Sequence, residues 1–174
     1  MDYSKVVIID EHDIPQSIEE KYSAHENPSK LHRAISIIIR NDKDEILIQK
    51  RADSKRTWPG FYSNSVCSHP IPGESYEAAA YRRTYEELGI FLLELNQIYK
   101  HTYEFKYDEK YGEHELTYVF EGKYNEKEIR FNPNEVSEIL WVPLKELKYF
   151  ISEHKDNITP WFLKILDDTN YLEF

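Results

Sequence analysis

Short apolar runs, separated by turn-forming residues, predict a series of strands along the chain. Residues 34–40 and 45–50 are rich in β-branched side chains and flank a polar turn at 41–44, which is typical of two adjacent strands. Gly112 indicates a turn between two further apolar segments, and Pro143 ends the last one. The predicted strands are residues 6–9, 34–40, 45–50, 97–107, 113–121 and 138–142.

The clearest predicted helix covers residues 75–88, and Gly89 is placed to end it. Glu74 and Glu77 lie where the positive end of a helix dipole favours carboxylates. A further helix is predicted from Pro143 to about residue 153, and Thr159 and Pro160 predict the cap and first turn of the last helix. The helical spacing predicts one shared face made of Ala78, Tyr81, Tyr85 and Leu88.

The order of these elements indicates an α/β (α+β) domain with a mixed sheet, because the strands are interleaved with one central helix and followed by others. Residues 21–33 predict a loop or a broken helix, and residues 52–61 predict a loop closed by Pro59 and Gly60. A length of 174 residues suits one ordinary domain, and no repeat or linker-like segment divides the chain.

Composition and charge exclude several classes of protein. With 22 basic residues against 32 acidic ones, the net charge is −10, which disfavours a general nucleic-acid binder but permits an anionic substrate in a cationic cleft. Cys67 is the one cysteine, so no intramolecular disulfide forms, and we expect a reducing cytoplasm. No apolar run approaches the roughly 20 residues of a membrane span, and the run before Asp10 is too short for a secretory signal.

A stripe of charged residues on the predicted central helix suggests metal and diphosphate chemistry. Glu74, Arg82, Glu86, Glu87 and Gly89 follow the order E-x7-R-x3-E-E-x-G, which resembles the Nudix box. Carboxylates on such a helix hold divalent cations against a diphosphate, because hard cations prefer oxygen ligands. A solvated amphipathic helix is the alternative interpretation.

Two positions depart from that box. Ser68 stands where the general pattern has glycine, and Arg83 stands where it has glutamate. Arg83 replaces an anion by a cation at the metal-binding edge, which should cripple a hydrolase that gathers its metal ions with those glutamates.

A second group of residues has the chemistry of a metal site. Cys67 and His69 are two positions apart, as are Glu113 and Glu115, so each pair shares one face of an extended segment. With His25 and His32 from the preceding loop, three imidazoles and two carboxylates could surround one Zn, Mn, Fe or Mg ion. The alternatives are ordinary surface or core histidines, a small buried cysteine and a solvent-facing strand edge.

The segment 64–70, NSVCSHP, with Trp58-Pro59-Gly60 before it, resembles type 1 isopentenyl-diphosphate isomerases of the Nudix superfamily. The order and spacing of the further matches make the resemblance specific. These matches are Lys21-Tyr22, His25, Leu31-His32, Arg51-Ala52, Ser54-Lys55, Gly73-Glu74-Ser75, Arg82-Arg83, Glu87-Leu88-Gly89, Glu113, Glu115 and Pro160-Trp161.

The resemblance implies a Nudix-like mixed β-sheet sandwiched by helices, in one domain over residues 1–174 with residues 1–30 packed on it as a strand and loop. It implies Cys67 and Glu115 as the proton-transfer pair, with Tyr103 beside Glu115. One divalent metal (Mn, Zn or Mg) would be held by His25, His32, His69, Glu113 and Glu115, and Glu87 would hold a Mg²⁺ with the substrate. The substrate-binding residues would be Lys21, Arg51, Lys55, Ser68, Arg83 and Trp161.

The predicted activity is therefore the interconversion of isopentenyl and dimethylallyl diphosphate in isoprenoid biosynthesis, without flavin. The alkene takes up a proton at one carbon and loses one from another, through a tertiary carbocation or a species close to it. The expected partner is a small diphosphate, with neither nucleic acid nor membrane, and we expect a monomer, with a dimer as the alternative. The competing hypotheses are a Nudix hydrolase of a nucleoside diphosphate derivative and a non-catalytic binding domain.

Overall fold

A mixed β-sheet forms the framework of the computed structural model, which describes residue 2, residues 4–126 and residues 128–172. Its strands are β1 (Lys5–Ile9), β2 (Pro15–Glu20), β3 (His32–Arg40), β4 (Glu45–Arg51), β5 (Tyr62–Ser63), β6 (Val66–Ser68), β7 (Leu95–Lys106), β8 (Gly112–Lys123) and β9 (Val136–Pro143). The helices are α1 (Lys21–Ala24), α2 (Tyr76–Leu88), α3 (Leu147–Glu153) and α4 (Pro160–Asp168).

Strand β3 is the centre of the sheet. It pairs in parallel with β8 along its whole length, from His32 opposite Glu115 to Arg40 opposite Lys123. It also pairs antiparallel with β6, while β4 pairs antiparallel with β9 and β7 with β8. The predicted mixed sheet is confirmed.

The two faces of the sheet pack against different helices. Ile35, Ile37 and Ile39 of β3 lie in one apolar cluster with Ala79 and Ala80 of α2. On the other face, Ile38 lies in a cluster with Trp161, Phe162 and Ile165 of α4. Both faces of β3 are therefore buried, which explains its continuous apolar sequence.

The shared face predicted for α2 is buried only in part. Leu88 of that face is buried, whereas Ala78 is exposed and Tyr85 is 50% exposed. The other buried positions are Ala79, Ala80 and Thr84, and the two alanines pack against β3. The ends agree with the prediction to within one residue: Ser75 caps the helix through Ala78 N, and Gly89 follows it with φ 68°.

Three smaller expectations are corrected. Thr159 occupies the cap position of α4, but its hydroxyl bonds to Ser63 Oγ at 2.9 Å instead of capping the helix. Gly112 begins β8 and pairs with Lys106, so the turn precedes it. Strand β2 was not predicted, because it is largely exposed and carries no apolar alternation.

Hairpin β1–β2 joins the sheet through Ile8, which pairs with His32 of β3. The ends of the predicted domain, residues 1 and 174, lie outside the described residues. Among the helices that the structure describes, none has the length and apolar character needed to cross a membrane.

Candidate active site

A cavity of about 240 Å³ opens beside the end of β3 at which His32 pairs with Glu115. Cys67, Glu115, Tyr103 and Trp161 all line this cavity. Of the residues predicted for the site, all except His32 and Glu87 line it. His32 and Glu87 are both buried, with exposures of 0% and 2%.

Four side chains converge on one point at the wall of the cavity. His25 follows α1, His32 begins β3, His69 follows β6, and Glu115 lies on β8. The Nε2 atoms of His25, His32 and His69 lie 3.7, 3.5 and 3.0 Å from Glu115 Oε1. One ligand atom from each of the four residues lies within 4.8 Å of the others, so this group could hold a metal ion.

The hydrogen bonds around the histidines fit a metal centre. Nδ1 of His25 lies 2.6 Å from Lys21 O and Nδ1 of His32 lies 2.7 Å from Lys30 O, which leaves each Nε2 facing the centre. His32 Nε2 is buried without a hydrogen-bond partner, and a metal ion would satisfy it. Burial lowers the pKa of His69 to about 3, so its ring is neutral, as ligation requires.

Glu113 lies beside this group but is not among its converging residues. Its Oε1 accepts a hydrogen bond of 3.1 Å from Thr57 Oγ1. Burial, followed by the charge of Glu115, raises the pKa of Glu113 to about 7. Two carboxylates close together in a buried site do not both ionise easily without a neighbouring cation.

Glu115 also contacts Tyr103, which lies opposite it on β7. The Tyr103 hydroxyl donates a hydrogen bond of 2.5 Å to Glu115 Oε2. Burial alone would raise the pKa of Glu115, but the three histidines hold it well below its ordinary value. The carboxylate is therefore charged and can accept a proton.

The Cys67 thiol contacts both a hydrogen-bond acceptor and a hydrogen-bond donor. Its S–H donates to Asn64 Oδ1 at 2.9 Å, and its sulfur accepts a hydrogen bond of 3.1 Å from Trp161 Nε1. Burial raises the pKa of Cys67 to about 11, so the group is protonated at neutral pH and can donate.

Aromatic rings form the apolar part of the cavity. The Trp161 ring lies edge-on to Trp58, with centroids 5.1 Å apart, and nearly parallel to Tyr103 at 6.5 Å. Trp161 is 1% exposed, and its indole N–H also donates to Ser63 Oγ at 3.0 Å. These contacts fix the ring beside the thiol, where it can face an apolar substrate group.

Comparison with known proteins identifies the family. The NUDIX domain family matches residues 30–162. The chain is 43% identical over 163 residues to Isopentenyl-diphosphate Delta-isomerase 1 of Photorhabdus laumondii, covering 91% of this chain and 90% of that protein. It is 37% identical over 162 residues to Isopentenyl-diphosphate Delta-isomerase of Pectobacterium atrosepticum, covering 93% and 89%.

The chain belongs to the isopentenyl-diphosphate Delta-isomerase family. The family predicted from the sequence is thereby confirmed. A crystal structure of a Deinococcus radiodurans protein matches this chain with a TM-score of 0.65 and 21% identity, over 86% of this chain and 89% of that one. At that identity the match shows the fold alone, and together with the NUDIX domain it confirms the predicted fold class.

Cationic side chains of this isomerase-family chain line the cavity. Arg51 is buried and donates to the backbone oxygens of Trp58 at 3.1 Å and Thr57 at 2.9 Å. Lys21, Lys55 and Arg83 line the same cavity. Burial, followed by the charge of Lys55, lowers the pKa of Lys21, as expected where cations crowd together.

Arg83, which stands where the Nudix box has glutamate, forms ion pairs with neighbouring carboxylates. Its guanidinium bonds to Glu87 Oε1 at 2.8 Å, to Glu86 Oε2 at 2.7 Å and to Glu135 Oε1 at 2.9 Å. Burial raises the pKa of Glu87, and Arg83 opposes this effect. These part-buried ion pairs, with Glu87 itself buried, disfavour a fully solvated helix face, which was the alternative interpretation of this stripe.

Sequence reasoning missed several residues that line the cavity. Glu135 was one of 32 acidic residues and lies in a turn before β9, where no motif distinguishes it. Arg56 was adjacent to the predicted Lys55 and could have been found by that proximity. The lining residues that were not singled out are Arg56, Thr57, Tyr111, Asn134 and Glu135.

Proposed function

We propose that this chain interconverts isopentenyl and dimethylallyl diphosphate, with Cys67 and Glu115 as its two proton-transfer groups. The observation that carries the proposal is that Cys67 and Glu115 line one cavity together with Tyr103 and Trp161. The names of the relatives confirm the predicted reaction, since they are isopentenyl-diphosphate Delta-isomerases matched over nearly the full chain. The roles of individual residues are part of our proposal.

The protonation states of the pair suit the reaction. Cys67 is protonated and Glu115 is charged, so one group can supply a proton while the other removes one from a different carbon. One C–H bond forms and one breaks, so no electrons enter or leave and no flavin or nicotinamide is required. Tyr103 holds Glu115 through its hydroxyl and keeps the carboxylate in place during the transfer.

Trp161 stabilises the carbocation-like intermediate only in part. An indole face contributes about 2 kcal/mol to a desolvated cation, which is roughly thirtyfold in rate at about 1.4 kcal/mol per tenfold. The remainder comes from the positions of the acid and base and from exclusion of water, which would otherwise hydrate the cation. Trp58, packed edge-on against Trp161, supports this apolar wall.

The cationic end of the cavity binds the diphosphate. Lys21, Arg51, Lys55 and Arg83 supply positive charge, and guanidinium groups suit bidentate contacts to phosphate oxygens. Ser68 lines the same cavity and adds a hydroxyl. In this proposal the phosphates lie against the cations and the five-carbon tail lies beside the aromatic rings.

His25, His32, His69 and Glu115 would hold one divalent metal ion, for which Mn, Zn and Mg are the candidates. Glu113 lies beside this group and would have to turn towards the ion to serve as the additional ligand. When bound, this ion supplies the positive charge that sets the proton affinity of Glu115. Glu87 is proposed to hold a Mg²⁺ ion that accompanies the diphosphate. Because Glu87 is bonded to Arg83, that role requires this contact to rearrange.

Incubation of the metal-loaded protein with Mg²⁺ and isopentenyl diphosphate tests the function. We expect dimethylallyl diphosphate to form without flavin or nicotinamide, as detected by chromatography of the dephosphorylated alcohols. Absence of product would reject the isomerase. Release of phosphate or nucleoside monophosphate from nucleoside diphosphate derivatives would instead support the hydrolase.

A further inference from the structure

Glu135 connects two of the cations that line the cavity. Its Oε2 accepts a hydrogen bond from Lys55 Nζ, and its Oε1 accepts one of 2.9 Å from Arg83 Nη2. Lys55 lies in the loop after β4, Arg83 lies on α2, and Glu135 lies in the turn before β9. One carboxylate therefore joins three segments of the chain at the edge of the cavity.

The negative charge of Glu135 lies between the positive charges of Lys55 and Arg83. Lys55 and Arg83 repel each other, and an anion between them offsets that repulsion and restricts both side chains. Although burial favours the neutral acid, the charge of Lys55 and then that of Arg83 lower the pKa of Glu135 to about 2. Glu135 is therefore ionised throughout the physiological range.

A negative charge beside a diphosphate has two opposite possible effects. If Glu135 only adds charge, it repels the phosphates, and its removal tightens their binding. If it holds the two cations in a geometry that matches the phosphates, its removal weakens binding, because the cations separate and lose rotamer order. The direction of the change in affinity distinguishes these two effects.

We infer that Glu135 is a positioning residue for the diphosphate, which holds Lys55 and Arg83 at the spacing that the two phosphates require. The inference rests on the proposed function, because it assumes that these cations bind the diphosphate. The contacts favour this role, since each carboxylate oxygen bonds to a different cation. Arg83 is also held by Glu86 and Glu87, so three carboxylates restrict the guanidinium.

Calorimetric binding of inorganic diphosphate to Glu135→Gln tests the inference. Glutamine keeps the size of the side chain but removes its charge. Because two cationic side chains would then have to be ordered when the diphosphate binds, we expect roughly tenfold weaker binding. Tighter or unchanged binding would overturn the inference, and measurements with and without Mg²⁺ should give the same direction.

Glu86→Gln is the matched control. Glu86 also bonds to Arg83, with Oε2 at 2.7 Å from Nη1, but it does not line the cavity. Its removal changes the net charge by the same amount, so we expect a change in diphosphate affinity of less than about threefold. Equal effects of the two substitutions would mean that net charge explains the result, and the inference would be wrong.

Two further variants separate failure of the inference from failure of the proposed function. Lys55→Ala should weaken diphosphate binding; if it does not, the proposed phosphate site itself is wrong. If Lys55→Ala weakens binding and Glu135→Gln does not, only the role of Glu135 is wrong. In the Lys55→Ala background, the effect of Glu135→Gln should shrink, since one of its two partners is gone.

Glu135→Asp keeps the charge and provides a folded variant if the glutamine variant does not fold. It should bind diphosphate more weakly than the wild type and more tightly than Glu135→Gln, because the shorter side chain reaches only one cation well. In turnover assays the effect should appear mainly in KM, as expected of a residue that arranges a binding site remote from the reacting carbons. A loss confined to kcat would contradict the assignment.

Discussion

Each oxygen of the Glu115 carboxylate faces a different set of partners. Oε1 faces the three histidine Nε2 atoms, and Oε2 accepts the hydrogen bond from Tyr103. This division leaves one oxygen for a metal ion and fixes the other beside the cavity. A single carboxylate can therefore be both a metal ligand and a proton-transfer group.

Arg83 neutralises two carboxylates of the central helix. It forms ion pairs with Glu86 and Glu87, so these groups are not available to metal ions while the contacts persist. The guanidinium also lines the cavity and adds positive charge there. These contacts favour the proposed diphosphate-binding role of Arg83 over a hydrolase site that gathers metal ions with these carboxylates.

Cys67→Ala and Cys67→Ser should each reduce kcat for isopentenyl diphosphate by about 10²–10⁴-fold, the usual contribution of a general acid or base. Serine retains a hydroxyl but is a much weaker acid than a thiol. Steady-state kinetics measure the effect, and circular dichroism checks that the fold is intact. Wild-type turnover in either variant would remove Cys67 from the mechanism.

At the scale of elements, the parallel pairing of β3 with β8 brings together two of the four residues that could hold a metal ion. It places His32 opposite Glu115, and the antiparallel pairing of β8 with β7 places Tyr103 opposite the same residue. A shift of either register by one residue would turn these side chains to the other face of the sheet. The site therefore depends on strand register as much as on residue type.

The end of helix α2 provides a test of stability. Gly89 has φ 68°, and an added Cβ would lie 2.9 Å from Arg130 O; Gly73 has φ 85°, with nothing within 4 Å of an added Cβ. Gly73→Ala should therefore cost only the left-handed backbone penalty of about 1–2 kcal/mol, and Gly89→Ala should cost more. Urea denaturation measures both, and equal losses would show that the Arg130 contact is relieved at no cost.

The ion pairs of Glu135 tie α2 to the turn before β9, and they predict a pH dependence of stability. Because the folded-state pKa of about 2 lies below the ordinary value of 4.5, Glu135 stabilises the fold above pH 4.5, and this contribution is lost as the pH falls towards 2. The free energy of unfolding of the wild type should therefore fall towards that of Glu135→Gln over this range. Urea denaturation across a pH series measures the difference, and parallel pH profiles would contradict the prediction.

The distribution of charge matters at the scale of the whole molecule. The chain has a net charge of −10, yet Lys21, Arg51, Lys55 and Arg83 all line one cavity. A cationic cleft focuses the local field, so an anionic substrate is attracted there despite the overall negative charge. The sign of the net charge therefore says little about the ligand.

Metal removal should lower the stability of the whole chain. An ion that binds the folded state at about 100 times its Kd adds about 2.7 kcal/mol to the free energy of unfolding, so a chelator should lower Tm and added Mn²⁺ or Zn²⁺ should restore it. Differential scanning fluorimetry measures the shift. His32→Ala should abolish the metal-dependent part, whereas His12→Ala, at an exposed histidine, should retain it. A metal-dependent shift that persists in His32→Ala would place the ion elsewhere.

Local patterns predicted much of the fold, whereas most of the candidate site residues came from the resemblance to a known family. The apolar strands and the ends of α2 follow from side-chain periodicity and from Gly89, which are properties of neighbouring residues. Strand β2 was missed because its exposed residues show no such periodicity, and the shared face predicted for α2 does not include Ala79 and Ala80, which are buried. Glu135 was missed because its partners, Lys55 and Arg83, are distant in sequence.

The sequence by itself determined the types of residue available for chemistry, the order of the strands along the chain and the family to which it belongs. Tertiary structure alone decided that three histidine nitrogens meet at one oxygen of Glu115, that Glu113 lies outside this convergence, and that Glu135 joins two cations. The physical reason is that periodicity and turn chemistry act over a few residues. Strand register and the meeting of distant loops depend instead on how the complete sheet and its helices pack.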